Sequence, residues 1–332
     1  MAFSFSFIIP VYNRPDEVKE LLGSFEKQEY KGDYEILIVE DGSTVPSEEI
    51  VKSFKNLPVR YFFKENSGPG PSRNYGMEQA AGDYFIILDS DCILPPTYIH
   101  AVKGELDSAP VDFFGGPDAA HEDFSSLQKA INYSMTAMLT TGGIRGKKKA
   151  AGKFQPRSFN MGISKQAFLA SGGFGKIHPG EDPDLTLRLW KMGFKSRFIA
   201  NAFVYHKRRI SWKSFYGQVR KFGLVRPILN LWHPDSAKLT YWFPTVFIVG
   251  AAMSILLFLA GFALPFVILL LYLLILMIDA SIKNRSIAIG ITAVFATLVQ
   301  FVGYGLGFAE SMLAVRWFKK LPQEQFPHLF FD

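Results

Sequence analysis

The chain has 332 residues, carries a formal net charge of +6 and contains a single cysteine, Cys92. That length accommodates two domains of ordinary size, and one cysteine excludes an internal disulfide framework. The charge does not indicate a nucleic-acid partner, because no nucleic-acid-binding motif accompanies the basic residues, which gather near the apolar segments and in RGKKK (145–149). We expect anionic membrane lipids to be their partners.

The first 210 residues are typical of a soluble domain in which strands and helices alternate. Helix-like stretches separate and follow the first four apolar, strand-like runs, which lie at 5–13, 34–43, 59–65 and 83–91. A further strand-like run lies at 195–206. This alternation predicts βαβ units and a Rossmann-like, mainly parallel sheet that is covered on both faces. Ligands of such sheets bind beyond the carboxyl ends of the strands, where this chain places polar and acidic residues.

The fourth strand-like run ends in the sequence LDSD, with aspartates at positions 89 and 91. Residues i and i+2 of an extended stretch project to the same side, so Asp89 and Asp91 would offer two carboxylates to one Mg²⁺ or Mn²⁺. A substrate diphosphate would supply further oxygen ligands. The alternative is that these aspartates only begin a turn at the end of the strand.

Two nucleotide-binding classes are disfavoured by the glycine pattern. The chain has neither the G-x-x-x-x-G-K-[ST] loop of P-loop ATPases nor a G-x-G-x-x-G loop after its first strand. Any bound nucleotide would therefore be held by acidic groups on the base and ribose and by a divalent cation on the diphosphate.

Three apolar segments, at 243–262, 264–278 and 287–315, predict a multi-pass membrane region. We expect the second crossing to return the chain to the side of Lys283 and Arg285, in agreement with the positive-inside rule. Glycines 303, 305 and 307 are expected to bend the third segment or to form a re-entrant hairpin. The predicted division is a catalytic domain at 1–210, an amphipathic interfacial segment at 211–240, membrane helices at 241–318 and a tail at 319–332.

The opening sequence, MAFSFSFIIPVYNRPDE, lacks the basic region of a secretory signal and leads directly into a strand-like pattern. We therefore expect the catalytic domain to lie in the cytoplasm, on the inner membrane of a bacterium.

Five segments, taken in order, resemble a family 2 glycosyltransferase of the GT-A fold and the membrane-anchored, non-processive type. They begin at Ile8 (IIPVYNRPDEVKELLGSF), Ile36 (ILIVEDGST), Asn66 (NSGPGPSRNYGMEQAAGDYFIILDSD), Phe159 (FNMGISKQAFLASGGF) and Gly180 (GEDPDLTLRLWKMGF). The resemblance covers residues 3–215. It implies metal-dependent, inverting transfer from a nucleotide sugar, with a UDP-sugar expected, to a hydroxyl of a lipid-linked or cell-surface glycan.

The resemblance also implies roles for individual residues. The nucleotide sugar would be bound by Pro10, Val11, Tyr12, Asp41, Arg73 and Asp89. The divalent cation, Mn²⁺ or Mg²⁺, would be bound by Asp89 and Asp91, with His206 as a further candidate ligand.

Asp182 matches the general base of the family, and Glu181 stands beside it as a second catalytic candidate. A carboxylate at this position would take the proton of the acceptor hydroxyl as that oxygen attacks the anomeric carbon. The alternative for this acidic run is to cap the helix that follows, and Asp184 is better placed for capping.

Two segments are candidates for contacts with the acceptor. Gln218 and Arg220 lie in GQVRKFG, which resembles a weakened Gln-x-x-Arg-Trp motif of processive synthases; an interfacial helix is the alternative. The lysine run at 147–149 (Lys147, Lys148, Lys149) would form a lid or meet an anionic acceptor, or would be a solvated tether.

Two other enzyme classes and one non-enzymatic class remain open. A polyprenyl-phosphate glycosyl synthase would use a lipid phosphate as acceptor and need little help from a base. A small processive polysaccharide synthase would need more membrane segments to line a channel. A transport or scaffold protein with a degenerate domain would not need Asp89, Asp91 and Asp182.

Overall fold

The computed structural model describes residues 3–119, 124–142, 154–206 and 211–331, and the chain forms two compact units. The first unit comprises Met1–His121, Ala150–Lys207 and Phe330–Asp332. The second comprises Glu122–Lys149 and Arg208–Leu329. Residues 122–149, which the sequence suggested as part of the catalytic domain, thus group with the apolar helices, and the last residues group with the catalytic fold.

The β-strands of the described residues all lie in the first unit. In chain order they are β1 (Phe5–Val11), β2 (Tyr34–Asp41), β3 (Val59–Lys64), β4 (Tyr84–Leu88), β5 (Cys92–Ile93), β6 (Phe113–Gly115), β7 (Asp118–Ala119), β8 (Asn160–Ser164), β9 (Ser196–Phe198) and β10 (Val204–His206). The α-helices of this unit are α1 (Pro15–Glu26), α2 (Glu48–Ser53), α3 (Pro69–Gln79), α4 (Tyr98–Ser108), α7 (Lys165–Ser171) and α8 (Glu181–Lys191). Those of the second unit are α5 (Ser126–Thr136), α6 (Met138–Thr141), α9 (Trp212–Trp232), α10 (Phe243–Leu259), α11 (Leu264–Asn284), α12 (Ile287–Ser311) and α13 (Pro322–Gln325).

A seven-stranded sheet with the order β3-β2-β1-β4-β8-β6-β9 forms the centre of the first unit. The pairs β1–β2, β1–β4, β2–β3 and β6–β9 are parallel, whereas β8 runs antiparallel to β4 and β6. The expected mainly parallel α/β domain is therefore confirmed. The carboxyl ends of β1, β2 and β4 lie at one edge, where the candidate residues were predicted.

Alternate residues of the central strands pack into two different cores. In β1, Phe7 and Ile9 belong to a core that includes Leu21 of α1, whereas Ile8 belongs to a core that includes Met77 of α3. Since successive strand residues point to opposite faces, both faces of the sheet are covered by helices. Burial on both faces explains the continuous apolar runs of the sequence.

The strand-like run at 195–206 forms two strands rather than one. β9 completes the edge of the main sheet, whereas β10 joins a small sheet with the order β5-β10-β7. In this small sheet the backbone of His206 is paired with that of Cys92, one residue after Asp91. Because the run is divided after β9, the chain returns in β10 to the metal-binding candidates Asp89 and Asp91.

The second unit contains three helical stretches that are long and apolar enough to cross a membrane: Leu239–Leu259, Leu264–Asn284 and Ile287–Trp317. Their number agrees with the three apolar segments of the sequence. The amphipathic segment forms α9, which packs along α12 within this unit.

The re-entrant hairpin expected as one possibility at glycines 303, 305 and 307 was wrong, because α12 continues through all three. A Cβ on Gly303 would lie 2.6 Å from a methyl carbon of Val219, and one on Gly307 would lie 2.4 Å from the backbone oxygen of Arg220. These two glycines allow α9 to approach α12 closely. They serve close helix packing.

Candidate active site

The loops that follow β1 and β2 are tied together by Asn13. Its side-chain oxygen accepts hydrogen bonds from the N–H groups of Thr44 (2.8 Å) and Val45 (2.9 Å). Its own N–H donates to the hydroxyl of Ser43 (2.7 Å). Asn13 has a positive φ of 54°, which asparagine tolerates better than most residues.

The three donor-binding candidates at the end of β1 differ in exposure. Val11 is buried, Pro10 is half-buried, and Tyr12 is 52% exposed. Tyr12 is therefore the residue of the three whose side chain is most available to a nucleotide, and the binding role of all three stays a prediction.

Asp41 ends β2 and organises the turn that leads into α3. Its carboxylate accepts hydrogen bonds from Lys64 Nζ (2.7 Å) and from the N–H groups of Ser67 (2.9 Å) and Gly68 (2.9 Å). Gly68 has a φ of 88°, in the left-handed region that glycine adopts without strain. The structure brings Asp41 to the expected edge of the sheet, and its contact with a nucleotide stays a prediction.

Glu40 is a structural residue that the sequence did not reveal. It is fully buried, and its carboxylate accepts hydrogen bonds from the hydroxyl of Ser43 and from the N–H of Ser47 (2.8 Å). The serines three and seven positions later are the sequence signal that could have indicated this loop-organising role.

The Asp-x-Asp pair stands between β4 and β5, and each carboxylate meets an arginine. Arg73 Nη2 donates to Asp89 Oδ1 (3.0 Å), and Arg14 Nη1 donates to Asp91 Oδ2 (2.9 Å). Arg14, at the start of α1, was not among the candidates, because its partner lies 77 positions away in the sequence.

The donor set of this pair suits a divalent cation, since carboxylate oxygens are the ligands that Mg²⁺ and Mn²⁺ prefer. Within the described ranges, no cluster of three metal-ligating side chains is assembled. A cation bound by Asp89 and Asp91 would share these carboxylates with the two arginines or displace them. The side chain of His206 lies outside the described part of the chain, so its role as a ligand stays a prediction.

Arg73 connects the strand-end acids to the start of α8. Its side chain is 4% exposed; Nη1 donates to Glu181 Oε1 (2.8 Å) while Nη2 binds Asp89. The guanidinium also lies 5.4 Å from the ring centre of Phe174. Burial would lower the pKa of Arg73, but Asp89 and Glu181 raise it overall. Arg73 therefore remains a buried cation shared by two carboxylates.

Glu181 begins α8 and is held in its charged form. Its side chain is 4% exposed, and its Oε2 lies 3.1 Å from His178 Nδ1. Burial alone would raise the pKa of Glu181, but the charges of His178 and Arg73 outweigh it and lower the pKa to about 2. Adjacent backbone N–H groups and the helix dipole also favour negative charge at this end of the helix.

Asp182, the next residue, has the opposite shift. Its side chain is 15% exposed, and Oδ2 lies 3.7 Å from Arg157 Nη1, too far for a direct hydrogen bond. Burial raises the pKa of Asp182 above its usual range, and the neighbouring Glu181 carboxylate adds to the rise, against the opposing effect of Arg157. A desolvated carboxylate of this kind has the proton affinity that a general base requires.

Helix capping does not explain the acidic run GEDPD. Gly180 precedes α8, and no side chain caps the helix. Asp184, the expected cap, instead accepts a hydrogen bond from Arg188 Nε (2.9 Å), one helical turn later. The capping role expected of Asp184 is therefore not seen.

The acceptor candidates lie elsewhere in the chain. Gln218 and Arg220 are on α9 in the second unit, where Gln218 is exposed and Arg220 Nη2 donates to Glu310 Oε2 (2.6 Å). The lysines at 147–149 lie outside the described residues. The contacts of all these residues with an acceptor stay predictions.

Comparison with known proteins covers the part of the chain that carries Asp41, Arg73, Asp89 and Asp91. The family model of glycosyl transferase family 2 matches residues 6–168. An uncharacterized glycosyltransferase of Rickettsia conorii is 38% identical over 128 residues, which cover 37% of this chain and 21% of that protein. The poly(ribitol-phosphate) beta-N-acetylglucosaminyltransferase TarS of Staphylococcus aureus is 37% identical over 91 residues, which cover 26% of this chain and 16% of TarS. The matches thus span about a fifth of these relatives.

A solved structure shares the fold over most of the chain. The mannosyltransferase PcManGT from Pyrobaculum calidifontis, in complex with GDP-Man and Mn²⁺, is 17% identical with a TM-score of 0.59. The likeness covers 89% of this chain and 86% of that one, and it confirms the expected GT-A fold.

Proposed function

The chain belongs to glycosyl transferase family 2, and from that premise we propose that it is a metal-dependent, inverting glycosyltransferase. It moves one sugar from a nucleotide sugar to a hydroxyl of a lipid-linked or cell-surface glycan, and UDP-sugars are the first donors to test. The observation that carries the proposal is the pair of adjacent carboxylates at the start of α8. One is held ionised by basic partners, and the other has a raised pKa.

Asp182 acts as the general base. As the acceptor oxygen forms its bond to the anomeric carbon, its proton passes to the Asp182 carboxylate, and the bond from that carbon to the diphosphate oxygen breaks. A single displacement inverts the anomeric configuration, so no covalent enzyme intermediate is required. Glu181, whose carboxylate is bound by Arg73 and His178, fixes the first turn of α8 so that Asp182 is presented to the acceptor.

The loops after β1 and β2 bind the nucleotide. Asp41 contributes by holding the turn at Gly68, and the exposed ring of Tyr12 provides an apolar surface for a base. The guanidinium of Arg73 stands beside Asp89, where the diphosphate is expected, and its positive charge favours an anionic donor.

Asp89 and Asp91 would hold Mn²⁺ or Mg²⁺. A divalent cation there would stabilise the negative charge of the departing nucleoside diphosphate. The named complex of the Pyrobaculum calidifontis mannosyltransferase with Mn²⁺ supports testing this cation first. Arg14 and Arg73 compensate the two carboxylates before a donor binds, because paired acids are less costly to bury than unpaired ones.

The acceptor is presented at the cytosolic face of the membrane that the three apolar helices would span. The catalytic unit is then close to lipid-linked substrates, and the basic residues beside the apolar segments face anionic lipid headgroups. We place the lysines at 147–149 and the residues Gln218 and Arg220 among the candidate acceptor contacts.

The test is release of nucleoside diphosphate by the full chain purified in detergent. UDP-, GDP- and dTDP-sugars are each supplied with membrane lipid extract as acceptor and with Mn²⁺, Mg²⁺ or EDTA. We expect one donor to give metal-dependent release that is lost in Asp91→Ala and in Asp182→Asn. Asp33→Asn is the matched control, because this aspartate is exposed and lies on the surface before β2.

Two results would contradict the proposal. The first is no release, together with no binding of any donor by calorimetry in the presence of metal. The second is release that survives Asp182→Asn while the sugar appears on a polyprenyl phosphate, which would favour the synthase class that needs no strong base. A polymer with many sugars per acceptor would instead indicate a processive synthase.

A further inference from the structure

Residues 330 and 331 lie in the first unit, far in sequence from the loops that they contact. The N–H of Phe331 donates to the backbone oxygen of Lys176 (3.0 Å), and Phe330 forms an antiparallel β-bridge with Ile177. These contacts attach the segment to the loop at 173–181, which leads into α8 and its two carboxylates.

The ring of Phe331 also packs directly on the turn at Gly68. A Cβ added to Gly68 would lie 2.3 Å from Cγ of the ring, so only glycine leaves room for it. The N–H of Gly68 is bound by Asp41 (2.9 Å). The Phe331 ring therefore contacts the turn on the proposed donor side of the site.

The same ring reaches the catalytic loop. Its centre lies 6.1 Å from that of the His178 ring, and His178 Nδ1 lies 3.1 Å from Glu181 Oε2. Phe331 thus lies beside both the Gly68 turn and His178, the residue that holds Glu181 next to Asp182.

At its other end the loop at 173–181 is held by side chains from α3 and α8, since Arg188 donates to the backbone oxygen of Gly173. Asn74 of α3 pairs with the backbone of Phe174, donating from Nδ2 to its oxygen (2.9 Å) and accepting from its N–H at Oδ1 (2.8 Å). Asn74 fixes the beginning of the loop, and Phe331 contacts its middle. Together they support it between α3 and α8.

We propose that Phe331 is a positioning residue of the transferase, which sets the spacing between the donor-side turn at Gly68 and the loop that delivers Asp182. This inference rests on the proposed function and adds a residue to its site. Phe331 acts through Gly68 and His178 and needs no contact with the substrate. Loss of the ring would remove the packing that fixes these two turns, and small displacements of reacting groups are costly in rate.

The experiment compares Phe331→Ala, Phe331→Tyr and Gln323→Ala in the full chain with the donor identified above. We expect Phe331→Ala to lower kcat by about tenfold or more and to change KM for the donor by less than about threefold. Phe331→Tyr keeps the ring and should recover most of kcat. Gln323 is exposed, and its replacement should leave kcat unchanged.

A double-mutant cycle tests the contact itself through thermal unfolding, whether or not the donor is known. Gly68→Ala should lower the midpoint more in the wild-type background than in Phe331→Ala, because the added methyl meets the ring only when the ring is present. The backbone strain of alanine at a φ of 88° is the same in both backgrounds. Equal losses in both backgrounds would overturn the contact.

The two possible failures are distinguishable. Wild-type protein that transfers no sugar contradicts the proposed function and, with it, a positioning role. Active wild-type protein with an unchanged kcat in Phe331→Ala leaves the transferase standing and overturns the inference. A tyrosine variant as slow as the alanine variant would also overturn it, because the ring would then not be the element that matters.

Discussion

The two acidic pairs of the catalytic unit differ in how their charge is compensated. At the end of β4, Asp89 and Asp91 each have an arginine within 3.0 Å, supplied by α3 and by the start of α1. The negative charge of this pair is compensated before any substrate binds. A cation that binds there would therefore replace ion pairs already present.

At the start of α8 the compensation is unequal. Glu181 is bound by Arg73 and His178, whereas Asp182 has Arg157 at 3.7 Å. The pKa of Glu181 is lowered to about 2 and that of Asp182 is raised. When the environment pushes the pKa values of neighbouring acids apart, their roles separate. Glu181 stays ionised as a structural anion, and Asp182 is the group that can gain a proton.

The largest effect is expected from Asp182→Asn, which keeps the shape of the side chain and removes the base. We predict a loss of about 10²- to 10⁴-fold in kcat with little change in KM for the donor, since proton transfer contributes on that scale. Nucleoside diphosphate release is the measurement, beside the surface control Asp33→Asn. A variant that keeps more than about a tenth of the wild-type kcat would contradict the role of Asp182.

Asp91→Asn should weaken metal binding by the pair Asp89 and Asp91. We predict at least about a tenfold weakening of Mn²⁺ binding, because a charged oxygen ligand is replaced by a neutral amide. The measurement is the electron paramagnetic resonance signal of free Mn²⁺, titrated with protein in the presence of nucleoside diphosphate. Unchanged affinity would show that Asp91 is not a ligand.

Arg73→Met should remove an ion-pair partner from both acidic pairs and destabilise the fold, because Arg73 binds Asp89 and Glu181. Removing one partner of a buried ion pair costs about 3–5 kcal/mol, which lowers the thermal midpoint of a domain of this size by roughly 6–20 °C. The pH dependence follows from Glu181, whose pKa falls from 4.5 to about 2 on folding. Its contribution is present above pH 4.5 in the wild type and is lost as pH falls toward 2.

The difference between Arg73→Met and wild type should therefore be largest at neutral pH and shrink below pH 4.5. Thermal unfolding of the detergent-purified chain between about pH 3 and 8 measures it. A pH-independent difference would mean that the ionisation of Glu181 is not linked to Arg73.

The smallest effect is expected from Arg14→Ala. The Arg14 side chain is 43% exposed, and ion pairs of this kind are worth about 0–1 kcal/mol. Because Arg14 occupies Asp91 Oδ2, its removal should tighten Mn²⁺ binding by up to about fivefold in the same titration. Weaker binding would indicate that Arg14 supports the cation rather than competing with it.

The sequence was most informative where a signal is local. Apolar runs ending in acids predicted the positions of Asp41, Asp89 and Asp91 at the strand ends, because buried parallel strands need continuous apolar residues. It was less informative where contacts are distant. Arg14 and Asp91 are 77 positions apart, and neither segment contains a signal that predicts their contact.

Two further features could not be predicted for different physical reasons. In a sequence, a glycine that permits close helix packing cannot be distinguished from one that permits a helix break. Gly303 and Gly307 therefore suggested a break that α12 does not contain. Phe331 lies in a short apolar stretch with no periodicity, and its partners at Gly68 and His178 follow only from the folded chain.

The most direct test of the central claim is the pH dependence of kcat/KM for the wild type and for Asp182→Asn. The raised pKa of Asp182 predicts that wild-type kcat/KM falls with unit slope as pH drops through a pKa above 3.8, as the base becomes protonated. The residual activity of Asp182→Asn should lack this acid limb. The same limb in both proteins would assign the base to another group and contradict the account.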